Sequence, residues 1–278
     1  MTAILSPAFT VLKVPRSLLA ELERRHPGLA HYGLVLAISG LIALGLQQLD
    51  PRTLASGANV WVKPAKFFFS VALFALTAAW FMGYVHPERH RSPLLRTTVR
   101  VLMASGTFEL AYITLQGARG LESHFNFSSP LYALMYALMG IGAVALTAST
   151  LPLAWEIARR PAPELQRSFV TAVVIGLVLT FLLGGSFGAY MSSQHGHAVG
   201  TAGGHFAIFG WNRLGGDLRV AHFLGIHAEQ AIPFLAAVTA GASERTRWGA
   251  LILGSAAYAL LTVTVFVQAV MGQPLLPG

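Results

Sequence analysis

The sequence contains no cysteine, and charged side chains make up only 11% of its 278 residues. Without cysteine the chain has no disulfides, thiolate nucleophiles or cysteine-ligated iron–sulfur clusters. Soluble domains carry about a quarter of their residues as charged side chains, so the low charge argues against a water-soluble fold. The sequence also lacks a phosphate-binding loop, a nucleophile elbow, an HExxH zinc motif and a dinucleotide fingerprint.

Hydrophobic residues make up 54% of the chain and gather in runs of the length that crosses a bilayer, about 20 residues. The sequence therefore predicts an all-α integral membrane bundle of seven transmembrane helices. Residues 1–30 are predicted to be a cytoplasmic amino-terminal segment with a short interfacial helix, and residues 31–278 the transmembrane domain, with an outer loop at 192–219. The seven predicted spans are 31–49, 67–85, 98–117, 131–151, 168–191, 220–240 and 250–271.

The distribution of lysine and arginine predicts the orientation of the chain. Thirteen of the 19 basic residues fall before the first span or after the second, fourth and sixth spans. The positive-inside rule then places the amino terminus in the cytoplasm and the carboxyl terminus outside. Anionic lipid at the inner surface accounts for the net charge of +8, so the lipid bilayer is the expected partner and no nucleic acid is needed.

The third predicted span contains one carboxylate, Glu109, about twelve residues from its start. An ionised carboxylate near the bilayer centre costs roughly 2.5 to 3.5 kcal/mol on insertion scales, so Glu109 is expected to face the protein interior. A rotation of 100° per residue places Tyr112 and Gln116 on the same side of the helix as Glu109, with Arg119 at the edge of this polar face. Two interpretations follow: a neutral structural glutamic acid, or part of a proton path or binding site.

Six of the ten histidines are predicted to lie at or near the outer face. His195 and His197 form an HxH pattern, which recurs in Zn and Cu sites. His222 and His227 lie five residues apart on the sixth span, pointing about 140° away from each other, and Gln230 is an alternative partner for His227. A heme requires two imidazoles at similar depth, whereas a non-heme Zn, Cu or Fe ion needs less special geometry. The predicted metal ligands are His124, His197, His222, His227 and Asp217, and the predicted cofactor or heme ligands are His124, His222 and His227.

Lys63 and Lys66 flank Pro64 at the entrance to the second span. In one interpretation these lysines only anchor the chain at the headgroup level. In the other, Lys63 faces inward and, with Arg119 and Arg219, holds an anionic, quinone-like or other lipid-soluble small molecule.

Three segments, WVKPAKF (61–67), RGLESHFN (119–126) and GGDLRVAHFLGIHA (215–228), resemble an uncharacterised family of bacterial multi-pass membrane proteins. The expected location is therefore a bacterial inner (cytoplasmic) membrane. The resemblance implies that the three segments belong together, but it implies no activity. The matched positions are Lys63, Lys66, Arg119, His124, Asp217, Arg219, His222 and His227.

These patterns lead to three functional hypotheses. The first is a metal- or heme-dependent membrane oxidoreductase with a periplasm-facing site. In it, Glu109 relays or accepts a proton, and Arg119, Arg219 and Lys63 hold an anionic or quinone-like group. The second is a proton-coupled transporter or channel using Glu109 and His222. The third is a nonenzymatic structural or sensory subunit, whose outer polar groups pair only with one another.

Overall fold

The computed structural model describes residues 18–54, 56–163, 165–194, 196–204, 206 and 209–276, which are mostly helical. The chain divides into two compact units. The amino-terminal unit is Val14–Ser149, and the carboxyl-terminal unit contains Thr150–Gly278.

The amino-terminal unit is built from α-helices with locally defined starts. Its elements are α1 (Leu18–Arg25), α2 (Pro27–Leu49), α3 (Val62–Met82), a short 3-10 turn (Pro87–Arg89), α4 (Pro93–Ala118) and α5 (Pro130–Ala148). The side chains of His26, Ser92 and Ser129 accept hydrogen bonds from backbone N–H groups three residues further on, at 3.0 to 3.3 Å. A proline follows each of these caps, where its missing N–H costs no helical hydrogen bond.

A short helix forms where the interfacial helix was predicted. In α1, Leu22 is buried, whereas Leu18 and Leu19 are exposed. Arg25 fixes the helix to α3, because its Nη1 donates to the Trp80 carbonyl at 2.7 Å and its guanidinium lies 4.0 Å from the centre of the Trp80 ring. The position of α1 at a membrane surface stays a prediction.

Close packing of α2, α3 and α4 forms the core of the amino-terminal unit. Leu36, Val71, Ala72 and Leu110 form one buried cluster. Glycine at position 33 permits this approach, since a Cβ there would lie 2.6 Å from the Cγ of Leu76 on α3.

The carboxyl-terminal unit contains two interrupted helices and a small sheet. Its helices are α6 (Thr150–Arg159), α7 (Arg167–Leu179), a π-helical turn (Thr180–Gly185), α8 (Ser186–Ser193), α9 (Leu218–Ile226), α10 (Ala228–Val238) and α11 (Glu244–Val270). Strand β1 (Ala198–Val199) pairs antiparallel with β2 (Gly216–Asp217). Ala172, Ile232, Ala236 and Leu251 form a buried cluster that joins α7, α10 and α11.

Within the described part of the chain, five helical segments are long and apolar enough to cross a membrane. They are Pro27–Leu49, Val62–Met82, Pro130–Arg159, Arg167–Ser193 and Glu244–Val270, and they correspond to five of the seven predicted spans. The third predicted span forms α4, whose polar residues reduce its hydropathy. The sixth forms α9 and α10, which are separated at His227 instead of making one continuous helix.

Exposed apolar side chains cover long faces of several of these helices, as lipid-facing surfaces do. Examples are Val35, Ile38, Leu41 and Ile42 on α2; Leu131, Leu134, Ile141 and Val144 on α5; and Ile252, Leu253, Leu260 and Leu261 on α11. The fold is therefore a helical assembly suited to a bilayer.

Candidate functional site

The polar face predicted for the third span is present on α4. Glu109 is only 4% exposed, Tyr112 is buried and Gln116 is fully buried, so the prediction that Glu109 faces inward is confirmed. The Gln116 amide donates from Nε2 to the Tyr112 hydroxyl at 2.8 Å. These residues recur every three or four positions, which keeps them on one side of the helix.

The Glu109 carboxyl packs directly against the backbone of α5. A Cβ at Gly142 would lie 2.9 Å from Glu109 Oε1 and 3.5 Å from Phe108 Cδ1, so glycine provides the space for the carboxyl. Lys63, at the start of α3, lies within electrostatic range of Glu109. Among the described residues, neither Glu109 Oε1 nor Gln116 Oε1 has a hydrogen-bond partner.

His124 lies in the loop after α4, within a group of aromatic rings. Its ring centre is 5.7 Å from that of Phe67 and 6.1 Å from that of Tyr136. The Ser123 hydroxyl lies 3.2 Å from His124 Nδ1. Burial, with a smaller contribution from the charge of Lys63, holds the pKa of His124 well below its usual value, so the imidazole is neutral at physiological pH.

Lys63 lies within electrostatic range of both Glu109 and His124. Phe67, one turn further along α3, packs against the His124 ring. The Lys63 Nζ lies 5.9 Å from the centre of the Phe67 ring. The amino-terminal unit thus brings together three predicted site residues, Lys63, Glu109 and His124, from three separate segments. Arg119 lies at the carboxyl-terminal end of α4, where its Nη2 donates to the Tyr132 hydroxyl at 3.4 Å.

In the carboxyl-terminal unit, Asp217 and Arg219 form a structural network. The Asp217 carboxylate caps α9 by accepting from the Arg219 backbone N–H at 3.0 Å, and it also accepts from the Arg219 guanidinium and the Asn212 backbone N–H. Arg219 further donates to the Gly210 carbonyl at 2.6 Å. Burial by itself raises the pKa of Asp217, but the hydrogen bonds and charge of Arg219 outweigh it and leave the pKa below its usual value.

His222 and Glu229 contact the π-helical turn from either side of the helix interruption at His227. His222 Nδ1 lies 2.9 Å from the Gly184 carbonyl oxygen, and the Glu229 backbone N–H donates to Thr180 Oγ1 at 3.0 Å. The backbones approach closely here, since a Cβ at Gly225 would lie 2.6 Å from the Gly184 nitrogen. The π-helical turn was not predicted.

His227 pairs with Gln230, as the sequence suggested. His227 Nδ1 lies 3.2 Å from Gln230 Oε1, and Gln230 Nε2 donates to Glu229 Oε1 at 2.9 Å. The His227 ring also packs on Phe223, with ring centres 4.3 Å apart. Glu229 itself is 2% exposed, so a second carboxyl is buried beside this pair.

The predicted metal ligands are distributed over both units. His124 belongs to the amino-terminal unit, whereas His197, Asp217, His222 and His227 belong to the carboxyl-terminal unit. Within the described ranges, no three His, Asp or Glu side chains gather as a metal site requires. The backbone carbonyl of His197 accepts from Leu218 N at 2.9 Å, and His195, its partner in the HxH pattern, lies outside the described residues.

Sequence reasoning missed the residues that surround the carboxyl and the imidazole. Gly142 is one of 28 glycines and has no distinguishing local pattern. Phe67 and Tyr136 occupy ordinary apolar positions of α3 and α5, and only tertiary packing brings their rings to His124.

The comparisons with known proteins add no assignment to this geometry. No family model, no curated protein and no solved structure matches the chain.

Proposed function

We propose that the protein spans the bacterial inner membrane seven times, with its amino terminus in the cytoplasm. The 26 residues of α4 extend about 39 Å at 1.5 Å per residue, which is long enough to cross despite the polar face. α9 and α10 follow each other with one intervening residue, and together they reach about 30 Å. The uneven distribution of basic residues supports the orientation.

We infer that the protein has a proton-coupled function, in transport or conduction, in which Glu109 binds and releases the coupled proton. The observation that carries this proposal is the buried Glu109 Oε1, which has no hydrogen-bond partner among the described residues. A purely structural glutamic acid would pair both oxygens, because an unsatisfied buried polar atom costs about 1 to 3 kcal/mol. Lys63, at the start of α3, places a positive charge within electrostatic range of this carboxyl.

Proton flux into liposomes tests this proposal. The purified protein is reconstituted with a pH-sensitive dye inside the vesicles, and a membrane potential is imposed. We expect the parent protein to carry flux and Glu109→Gln to carry at least about tenfold less, since the amide keeps the shape and loses the proton site. Glu88→Gln, in an exposed loop, serves as the matched control. Equal flux through Glu109→Gln and the parent would refute the role of Glu109.

A metal- or heme-dependent oxidoreductase is the second candidate, and the position of His222 favours it. The Gly184 carbonyl fixes the proton on His222 Nδ1, which leaves the lone pair on Nε2 as a metal or heme ligand requires. The cofactor would be a Zn, Cu or Fe ion or a heme, and the substrate a quinone-like or anionic molecule. The described residues do not complete a ligand set for such a cofactor.

Elemental analysis and an absorption spectrum of the purified protein test the second candidate. We expect a stoichiometric metal or heme that is lost in His222→Ala and kept in His90→Ala. His90 is a suitable control because its Nε2 also contacts a backbone carbonyl, that of Val85 at 3.0 Å. Protein without metal or heme would remove this candidate and leave the proton-coupled function standing.

A further inference from the structure

The polar face of α4 continues from Glu109 toward the carboxyl-terminal end of the helix. Seven residues separate Glu109 from Gln116, which corresponds to about 10 Å along the axis and a rotation of only about 20°. Tyr112 lies between them and accepts the hydrogen bond from Gln116. A carboxyl, a hydroxyl and an amide are therefore stacked on one buried face.

These three groups have hydrogen-bonding capacity that the described residues do not use. Glu109 Oε1 and Gln116 Oε1 have no partner there. The Tyr112 hydroxyl accepts from Gln116, so its own hydrogen is available for another acceptor. In native proteins, ordered internal water usually satisfies buried polar groups of this kind.

We propose that internal water joins Glu109, Tyr112 and Gln116 into a path by which Glu109 exchanges its proton at the carboxyl-terminal end of α4. This proposal rests on the proton-coupled function proposed above. A proton leaves the Glu109 carboxyl for a water molecule, which passes a proton to the Tyr112 hydroxyl as that hydroxyl releases its own to the next water. Gln116 holds that water through its Oε1. Each step moves one proton, and no group changes its oxidation state.

The surroundings of Glu109 favour this direction over the opposite one. Toward the start of α4, the same face carries the buried residues Gly106 and Leu102. The Tyr32 hydroxyl lies against Gly106, but it is already bonded to Met103 O and Thr107 Oγ1. The titratable groups on the packed elements are Lys63 and Lys66 on α3, Tyr132 and Tyr136 on α5, and His31 and Tyr32 on α2. Tyr136 lies against His124. The contacts of Tyr32, with Met103 O and Thr107, are nearer to the start of α4 than Glu109 is.

Infrared measurement of hydrogen–deuterium exchange at the Glu109 carboxyl tests the path. The band is assigned by its loss in Glu109→Gln, and its exchange is followed after transfer of the protein in lipid membranes to D₂O. We expect Tyr112→Phe and Gln116→Met to slow the exchange at least about tenfold, because each removes one group of the path. Both changes retain most of the buried volume, and melting curves identify any variant that is misfolded.

Thr114→Val is the matched control. Thr114 Oγ1 is also buried and unpartnered within the described residues, but it lies about 140° around α4 from Glu109. Parent-like exchange in this variant and slow exchange in the other two support the path. If folded Tyr112→Phe and Gln116→Met both exchange like the parent, the path is refuted while the proton site stands. If no carboxyl band depends on Glu109, the proposed function itself fails.

Discussion

Gly142 determines how much space the Glu109 carboxyl has. We expect Gly142→Ala to destabilise the protein by about 1 to 3 kcal/mol, because the new methyl group would overlap Glu109 Oε1 and force the carboxyl to move. Thermal unfolding in lipid or detergent measures the change. In the Gly142→Ala background, Glu109→Asp should recover part of the loss, since the shorter side chain withdraws the carboxyl from the methyl group.

Gly140 on the same helix provides the control for this prediction. A Cβ at Gly140 would meet no atom within 4 Å, so Gly140→Ala should unfold at or above the parent temperature. Equal unfolding temperatures for Gly142→Ala, Gly140→Ala and the parent would show that α5 does not confine the carboxyl.

Asp217 makes the amino-terminal end of α9 sensitive to acid. We expect Asp217→Asn to lower the free energy of unfolding by about 1 to 3 kcal/mol, because an amide has one oxygen instead of two and cannot accept all four hydrogen bonds that Arg219 and Asn212 donate. The pKa of Asp217 is lowered in the folded protein. Its contribution is therefore fully present above the unfolded pKa of about 3.9 and is lost as the pH falls through the lower folded value.

Unfolding measured across this acidic range checks the Asp217 prediction. The stability difference between parent and Asp217→Asn should shrink as the pH falls below about 4. Glu88→Gln should follow the parent at each pH, because Glu88 is exposed. A difference that is constant with pH would contradict an ionised Asp217 in the folded state.

At the scale of elements, Thr180 connects the π-helical turn to the start of α10. Thr180→Val should cost about 1 to 3 kcal/mol, because it removes the hydroxyl that accepts from the Glu229 N–H while keeping the side-chain volume. Thr171→Val on α7 is the control, since its hydroxyl only donates back to the Arg167 carbonyl one turn earlier. Comparable melting temperatures for the two variants would mean that the contact contributes little.

The elements show which features local sequence can predict. Glu109 was placed correctly because the cost of a carboxylate in lipid depends on depth and helical phase, and both can be counted along one span. The interruption at His227 was not predicted, because the nearby helix-weakening residues, Gly225 and Pro233, are also frequent in continuous transmembrane helices. Tertiary contacts accompany this interruption: the close approach of Gly225 to Gly184, and the bond from Glu229 to Thr180.

The candidate site also contains residues that the sequence could predict and residues that it could not. Lys63 and His124 were selected because polar residues are rare in the chain and concentrate in a few segments. Their common neighbour Phe67 was not selected, because one of 17 phenylalanines in an apolar helix carries no signal of its own. The metal site remains a prediction, since its ligands fall in two units and His195 lies outside the described residues.

At the scale of the whole molecule, the distribution of basic residues predicts the threading of the chain. Reporter fusions after Arg91, Arg160 and Arg245 should report the cytoplasm, and fusions after Ser128 and Gly200 should report the outside. Enzymatic reporters active on only one side of the membrane make this measurement. The reversed pattern would place His124 and Asp217 on the cytoplasmic side and rule out a periplasm-facing site.

The capped starts of α2, α4 and α5 have a consequence for biosynthesis. Each start depends on a cap, a proline and a backbone N–H that lie within four consecutive residues. These contacts lie within the segment itself, so they can form as soon as the segment has been translated and need no contact with another helix. A ribosome can therefore deliver these helices to the membrane one at a time with their first turns already defined, and later packing only has to bring finished helices together.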